Sequence, residues 1–249
     1  MKTNGIAAAL ITIFSTGSAA AEEPATPRTT THDGAGGHVE SSLQLNPSVA
    51  KIEAGAHYRH SWLQAGGGAY ATDSYVAPAL QLRAYFGSSF SLKAEYAYLK
   101  YTVDDRGATH RATLTPNGRF ELGPVLFKMK NDISYFHMTD AGEEHFLTDY
   151  DSRVKKDDVF LASRTDILVR PWRNDRWASG FGVGPSLQST WAIRTSLMRA
   201  RVGGTVSYTI VEDLGMVKKP SIVLDAGINA RDEYHEGEGY GAMALSTEF

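Results

Sequence analysis

The chain ends on the stretch Tyr240-Gly-Ala-Met-Ala-Leu-Ser-Thr-Glu-Phe249, and this stretch decides how the rest of the sequence is interpreted. Counted back from the terminal aromatic residue, every second side chain belongs to one set: Thr247, Leu245, Met243 and Gly241. The side chains between them form a second, more polar set: Glu248, Ser246, Ala244 and Ala242. Successive side chains of a β-strand point to opposite faces, so a two-residue period predicts a C-terminal strand with one more apolar face.

The other end of the chain has the features of a secretory signal peptide. Lys2 supplies a positive charge, residues 6–14 form an apolar segment, and residues 18–21 offer a small-residue cleavage site. We expect residues 1–21 to be removed on export. Residues 22–46 are rich in Pro, Thr, Gly and Ala, which predicts a flexible lead-in, and residues 47–249 are expected to form the folded domain.

The composition excludes several classes of protein. The chain has no cysteine, so disulfides, thiolate metal sites and a cysteine nucleophile are excluded. Beyond the signal segment, no stretch is long and apolar enough for a transmembrane helix. A formal net charge of −3 argues against a nucleic-acid-binding surface.

From Pro47 onward, the period-two alternation is sustained and predicts antiparallel strands. We count ten strands, with a β-turn at 115–118 and a bulge at Gly123-Pro124 within one long strand. Short connections near 87, 116, 174 and 213–219 alternate with longer ones near 64–73, 103–107, 139–156, 190–196 and 232–239. Such alternation is typical of a closed barrel with short turns at one end and longer loops at the other.

A count of twelve strands is the alternative, using residues 39–45 as a strand and splitting residues 119–138 into two. It ranks second because it would move the tight Gly87-Ser88 turn to the end that carries the longer loops.

The signal peptide, the alternating strands, the asymmetric connections and the terminal Phe249 together resemble bacterial outer-membrane β-barrel proteins. The resemblance implies a monomeric, all-β, closed antiparallel barrel in the outer membrane, surrounded by outer-membrane lipid, with residues 22–46 in the periplasm. It also implies that the Phe249 strand is recognised by the barrel-assembly machinery. The size and the arginines on the predicted inward faces, such as Arg59, Arg83, Arg199 and Arg201, are similar to the small monomeric porins specific for oligogalacturonates, which usually have twelve strands. That similarity carries over no site residue and implies no cofactor.

Aromatic residues cluster near the strand ends, as in the two interfacial girdles of a membrane barrel. On the ten-strand count, Trp62 and Trp191 are expected at the outer interface, and Trp177 and Phe249 at the inner one.

If the alternation holds throughout, the face of the strands that lines the lumen is rich in arginine: Arg59, Arg83, Arg111, Arg164, Arg170, Arg199, Arg201 and Arg231. Arg199 and Arg201 lie two apart and therefore share a face. An arginine facing lipid at mid-membrane costs roughly 2–4 kcal/mol, so both are expected inside. Rings of basic side chains favour anions, so we predict a small passive channel that prefers anions or acidic small solutes.

Two other functions stay open. The inward charges could neutralise one another and close the lumen, leaving a structural or adhesive barrel that works through its outer loops, 139–156 and 232–239.

A hydrolase at the rim, using His145 or His235, is the second alternative. Adjacent acids such as Asp104-Asp105 and Asp157-Asp158 point to opposite faces when they lie in strands, so no catalytic pair stands out and we predict neither an enzyme nor a metal site.

Overall fold

The protein is an antiparallel β-barrel. The computed structural model describes residues 33–45, 49–72, 75–102, 107–139, 159–172, 179–193, 196–210, 218–232 and 236–249, and the predicted signal peptide, residues 1–21, lies outside them. Twelve strands form a single closed sheet in which each strand pairs with its neighbours in sequence and β12 pairs with β1. The described part contains no helix long and apolar enough to cross a membrane.

The strands have the following bounds: β1 Gly34–Leu45, β2 Val49–His60, β3 Leu63–Thr72, β4 Tyr75–Phe86, β5 Phe90–Tyr101, β6 Ala108–Leu122, β7 Val125–Met138, β8 Val159–Val169, β9 Phe181–Ala192, β10 Ser196–Thr209, β11 Lys218–Arg231 and β12 Gly239–Glu248.

The C-terminal stretch forms the last strand, as predicted, and closes the barrel. Strand β12 pairs with β1 in one register, from His38 opposite Glu248 to Leu45 opposite Gly241. Beyond the strand, the Phe249 N–H donates to the Gly37 carbonyl at 3.0 Å, and the Gly37 N–H donates to the Phe249 carbonyl at 2.8 Å. Closure pairs the edges that an open sheet would expose, which is the condition for crossing hydrocarbon with strands.

The expected count of ten strands is wrong, and the twelve-strand alternative is right. One added strand, β1, lies inside the predicted lead-in and includes residues 39–45. The other, β3, occupies the predicted loop 64–73 rather than a split of residues 119–138. Its glycines hide the alternation, but they permit close pairing: a Cβ on Gly66 would lie 2.6 Å from the Ala56 carbonyl oxygen.

The predicted turn at 115–118 is also wrong, because β6 runs through it to Leu122. Pro116 has no N–H to donate, and the pairing of β6 with β7 passes over Thr115 and Pro116 before resuming at Asn117. The chain reverses instead at Gly123-Pro124, the predicted bulge, where Gly123 has a φ of 58°. A positive φ suits glycine, so this dipeptide serves as the turn.

The even strand count places both chain ends at one end of the barrel, here called the terminal end. The terminal end also holds the connections 61–62, 87–89, 123–124, 170–180 and 210–217, and the opposite loop end holds 46–48, 73–74, 102–107, 139–158, 193–195 and 232–238. The Gly87-Ser88 turn stays at the terminal end because both added strands precede it. The objection to twelve strands therefore falls away.

The outer face of the barrel is apolar and the inner face is largely polar. Ile52, Leu80 and Val202 point outward with 62%, 68% and 52% of their surface exposed. Their strand neighbours on the opposite face are buried or half-buried and include Lys51, Glu53 and Arg201. Large exposed aliphatic side chains around a polar interior are what a barrel presents to lipid.

Candidate functional site

The lumen is the candidate site, since it gathers nearly all of the predicted arginines. Several of their side chains span the lumen to strands that are not their neighbours in the sheet. Such cross-lumen contacts narrow the interior and fix the side chains that make them.

One cross-lumen contact joins β6 to β3. Arg111 donates from Nη2 to the Tyr70 hydroxyl, and it also donates to Oε1 of Glu95 on β5 at 2.7 Å. Glu95 in turn accepts from Lys93 at 3.1 Å. On β2, Lys51 donates to Glu53 at 2.6 Å. This side of the lumen therefore carries basic residues whose charges are met by acids of the same wall.

A second cross-lumen contact joins β8 to β11. Arg164 makes two parallel hydrogen bonds to Asp225, at 2.8 and 2.9 Å, and its Nε donates to both oxygens of Asp166 at 3.0 and 2.9 Å. Arg164 and Asp225 are 9% and 5% exposed, so the pair is largely withdrawn from water. A paired guanidinium–carboxylate contact is strong and fixed in direction, and here it reaches past β9 and β10.

Arg199 and Arg201 both point inward on β10 and are buried, as expected. Arg199 donates from Nε to Asp232. Arg201 donates to Asn229 at 2.8 Å and to Gln44 on β1 at 3.2 Å. Each of the two arginines therefore has a polar partner across the lumen or on the next strand.

Arg201 also lies over an aromatic ring that the sequence reasoning missed. Its guanidinium is 4.9 Å from the centre of the Tyr240 ring. That ring occupies a notch made by two glycines: a Cβ on Gly203 would lie 2.7 Å from the Tyr240 oxygen, and one on Gly227 would lie 2.9 Å from its ring. The Tyr240 ring therefore packs against the Arg201 guanidinium and helps to hold it in place. Tyr240 is two residues before Ala242 and therefore shares its face of β12, so the two-residue period could have placed the ring in the lumen.

The lumen at the terminal end holds three more of the predicted arginines, Arg59, Arg83 and Arg170. The Glu121 carboxylate accepts from Arg119 and from Arg170, each at 2.7 Å. On β2 and β4, the Arg59 guanidinium lies 4.1 Å and that of Arg83 6.0 Å from the centre of the Tyr85 ring.

A hydrogen bond from the β2–β3 turn to the residue before β1 holds the chain at the terminal end. Asp33, just before β1, accepts from the Ser61 N–H at 2.6 Å, and this hydrogen bond lowers the pKa of the Asp33 carboxyl. It clamps the β2–β3 turn, where Ser61 adopts a φ of 53°.

Arg231 does not line the lumen, contrary to expectation. The register of β10 with β11 shifts next to Arg201, so that Arg201 faces Asn229 while Ala200 faces Arg231. The shift leaves Ala230 as an extra residue and reverses the phase beyond it. Arg231 is consequently exposed, and Asp232 turns inward to meet Arg199.

An apolar cluster fills part of the lumen toward the loop end, and the sequence reasoning did not identify it. Its members are buried: Tyr70, Tyr75, Ala77, Ala97, Leu99, Tyr101, Phe136, Met138, Phe160 and Ala192. The rings of Phe136 and Phe160 meet edge to face at 5.2 Å. Leu99 and Tyr101 continue the inward phase of Lys93 and Glu95, so the alternation of β5 contained the signal.

The interfacial aromatics divide between the two ends. Trp191 is exposed near the loop end of β9, and Phe249 is exposed at the terminal end. Trp62 lies at the terminal end, not at the outer interface, because β3 turns its predicted loop into a strand; its carbonyl accepts from the Tyr85 N–H at 2.8 Å. Trp177 lies outside the described residues.

The residues considered for a rim hydrolase give no described active site. His145, His235, Asp104-Asp105 and Asp157-Asp158 lie outside the described residues, as do 140–156 of the predicted outer loop 139–156. Of the loop 232–239, residues 232 and 236–239 are described, and Asp232 is bonded to Arg199. Within the described ranges, no three His, Cys, Asp or Glu side chains are grouped to hold a metal ion.

Comparisons with known proteins show the fold. No family model matches the chain, and no curated protein matches it. Among solved structures, the NanC porin matches with a TM-score of 0.51 at 6% identity, covering 86% of this chain and 98% of that one. The COG4313 outer membrane channel from Pseudomonas putida F1 matches with a TM-score of 0.51 at 10% identity, covering 87% and 96%. The KdgM porin matches with a TM-score of 0.45 at 10% identity, covering 86% and 98%.

The closed antiparallel sheet, its apolar outer face and the first two of these similarities define the class. The chain has the fold of the bacterial outer-membrane β-barrels, and that membrane is where such a surface is stable.

Proposed function

We propose that the protein is a narrow passive channel of the outer membrane that favours small anionic solutes. The observation that carries the proposal is the charge of the lumen at the terminal end, along the wall from β2 to β8. Among the described residues nearest the mouth at that end, the inward basic side chains are Arg59, Arg83, Arg119 and Arg170, and the acid that contacts two of them is Glu121. Farther in, Lys128 lies opposite the acid Asp166. A mouth lined by excess positive charge concentrates anions and raises the barrier for cations.

The likeness to a porin and to an outer membrane channel supports the proposal at the level of architecture, since both are barrels of this kind. The passage is narrow because Arg164, Arg111 and Arg201 extend across it. We therefore expect a small conductance. The excess charge at the mouth, rather than the paired charge of the interior, would set the preference between ions.

The experiment is a reversal-potential measurement on refolded protein in a planar bilayer with a salt gradient. The unaltered barrel is expected to prefer anions. Replacing both Arg59 and Arg83 by Ser should move the reversal potential toward cation preference, because two positive charges leave the mouth. Lys100→Ser is the matched control: Lys100 is exposed on the outer face of β5, and its loss should leave the selectivity unchanged.

Cation preference in the unaltered barrel would refute the anion channel. So would an unchanged reversal potential in the Arg59→Ser and Arg83→Ser double variant.

A closed barrel that works through its outer loops is the second candidate. It is favoured by the apolar cluster, which fills part of the lumen toward the loop end, and by the cross-lumen contacts below it. Refolded, heat-modifiable protein that never conducts would establish this alternative. Deleting residues 140–156 should then abolish binding of the barrel to its partner while the barrel still assembles.

A further inference from the structure

Two histidines form a pair on the outer face of the barrel. His110 on β6 lies directly opposite His137 on β7, and their ring centres are 6.2 Å apart with 39° between the ring planes. Both point outward, because their strand neighbours Arg111 and Phe136 face the lumen. The pair stands near the loop end of two long strands that pair without a break from Thr109 to Leu114, so its spacing is set by the sheet.

A tyrosine on the next strand orients one of these rings. The Tyr96 hydroxyl lies 2.6 Å from Nδ1 of His110, and the Tyr98 ring is centred 5.1 Å from the His110 ring. Because Nδ1 is engaged, Nε2 is the nitrogen of His110 that can meet a ligand. A histidine whose second nitrogen is held by an oxygen is the usual arrangement around a bound metal, since the outer contact fixes the tautomer and the ring angle.

The chemistry of the pair suits a transition-metal ion better than other ligands. Neutral imidazole is a good ligand for Zn²⁺, Ni²⁺ and Cu²⁺, and a Zn–N bond is about 2.0–2.1 Å. Two rings whose centres are 6.2 Å apart are close enough for one ion to lie between them at such a distance from a nitrogen of each. His137 is exposed and His110 half-buried, so water can fill the remaining coordination positions.

The geometry points to a surface site for a divalent transition-metal ion on the outer face near the loop end. The ion is held by His110 and His137, and Tyr96 acts as a positioning residue on His110. The site lies outside the lumen and does not depend on the proposed channel. Tyr96 and Tyr98 beside it are residues typical of the aromatic belt, where the bilayer meets water and ions have access.

The test is calorimetric titration of untagged, refolded barrel in detergent micelles with Zn²⁺. The unaltered protein should bind one ion more than the double variant His110→Ala and His137→Ala. Tyr96→Phe should weaken that binding by about 10-fold, the lower end of the range for a lost outer contact. His60→Ala is the matched control, since His60 is an exposed histidine at the terminal end.

Heat-shifted mobility on a gel establishes that each variant is folded. Equal Zn²⁺ binding by the unaltered protein and the double variant would overturn the site. Unchanged affinity in Tyr96→Phe would overturn the positioning role of the tyrosine.

Discussion

At the scale of single residues, the lumen shows how a charge acquires its role from its surroundings. Arg201 is held by Asn229 and Gln44 and lies on the Tyr240 ring. Arg231 is exposed, although the alternation of β11 predicted an inward side chain for it as well. The difference arises from one extra residue, Ala230, at the register shift between β10 and β11. Residue type alone therefore does not place an arginine on the lumen wall.

The Tyr240 hydroxyl leads to a first prediction. It is buried and has no hydrogen-bond partner within the described structure. Leaving a buried hydroxyl unpaired costs roughly 1–3 kcal/mol. Tyr240→Phe keeps the ring in its glycine notch and the stacking of Arg201, so the free energy of unfolding should stay equal or rise. Urea unfolding in lipid vesicles, followed by tryptophan fluorescence, measures it.

Tyr240→Ala is the contrasting variant. It empties the notch at Gly203 and Gly227 and removes the support of Arg201, so the free energy of unfolding should fall by about 3–5 kcal/mol. If Phe destabilised the barrel as much as Ala does, the hydroxyl would have a partner and the packing argument would fail.

At the scale of strands, β3 illustrates the limit of alternation as a signal. Its sequence, LQAGGGAYAT, has few large side chains to mark two faces. It is a strand because β2 and β4 pair with it along nearly its whole length, from His60 opposite Leu63 to Lys51 opposite Thr72 on one side. Tertiary pairing overrides the weak strand preference of glycine.

A second prediction tests the close approach in this strand. A Cβ on Gly66 would lie 2.6 Å from the Ala56 carbonyl oxygen and 2.8 Å from the His57 Cβ. Gly66→Ala should therefore force the β2–β3 hairpin apart and lower the free energy of unfolding by about 1–3 kcal/mol. Urea unfolding in vesicles is again the measurement.

Gly204→Ala supplies the matched control for that variant. The nearest atom to its added Cβ would be 3.7 Å away, an ordinary contact, on the outer face of β10. It should leave the stability unchanged or raise it slightly, because alanine restricts the unfolded chain. Equal destabilisation by both variants would mean that loss of glycine flexibility, not crowding at Gly66, is the cause.

At the scale of the whole molecule, closure gives each of the described strands two hydrogen-bonded neighbours. The seam between β1 and β12 is paired along eight residues of each strand, and the Phe249 main chain extends it to Gly37. No strand of the described sheet is an edge. The apolar outer wall and the paired inner charges together suit a chain surrounded by lipid with a polar interior.

Closure also gives the third prediction. Unboiled protein should migrate differently from boiled protein on a detergent gel, because a closed ladder of strands resists detergent until it is heated. Deleting β1, residues 34–45, should abolish that shift, since β12 would lose its partner. Persistence of the shift without β1 would contradict the twelve-strand closure and restore the shorter barrel.

The sequence by itself determined the class of the molecule. Period-two alternation is a local property, visible in one strand at a time, and it predicted most of the strands and the inward direction of Arg111, Arg164, Arg199 and Arg201. The alternation of short and long connections, with the resemblance carried by the signal peptide and Phe249, predicted the closed barrel. The tertiary structure alone decided the strand count, the exposure of Arg231 and the position of Trp62. It also decided which charges meet, as in Arg164 with Asp225 and Arg201 with Gln44. These features depend on the register and stagger of strands far apart in the chain, and a local period carries no information about either.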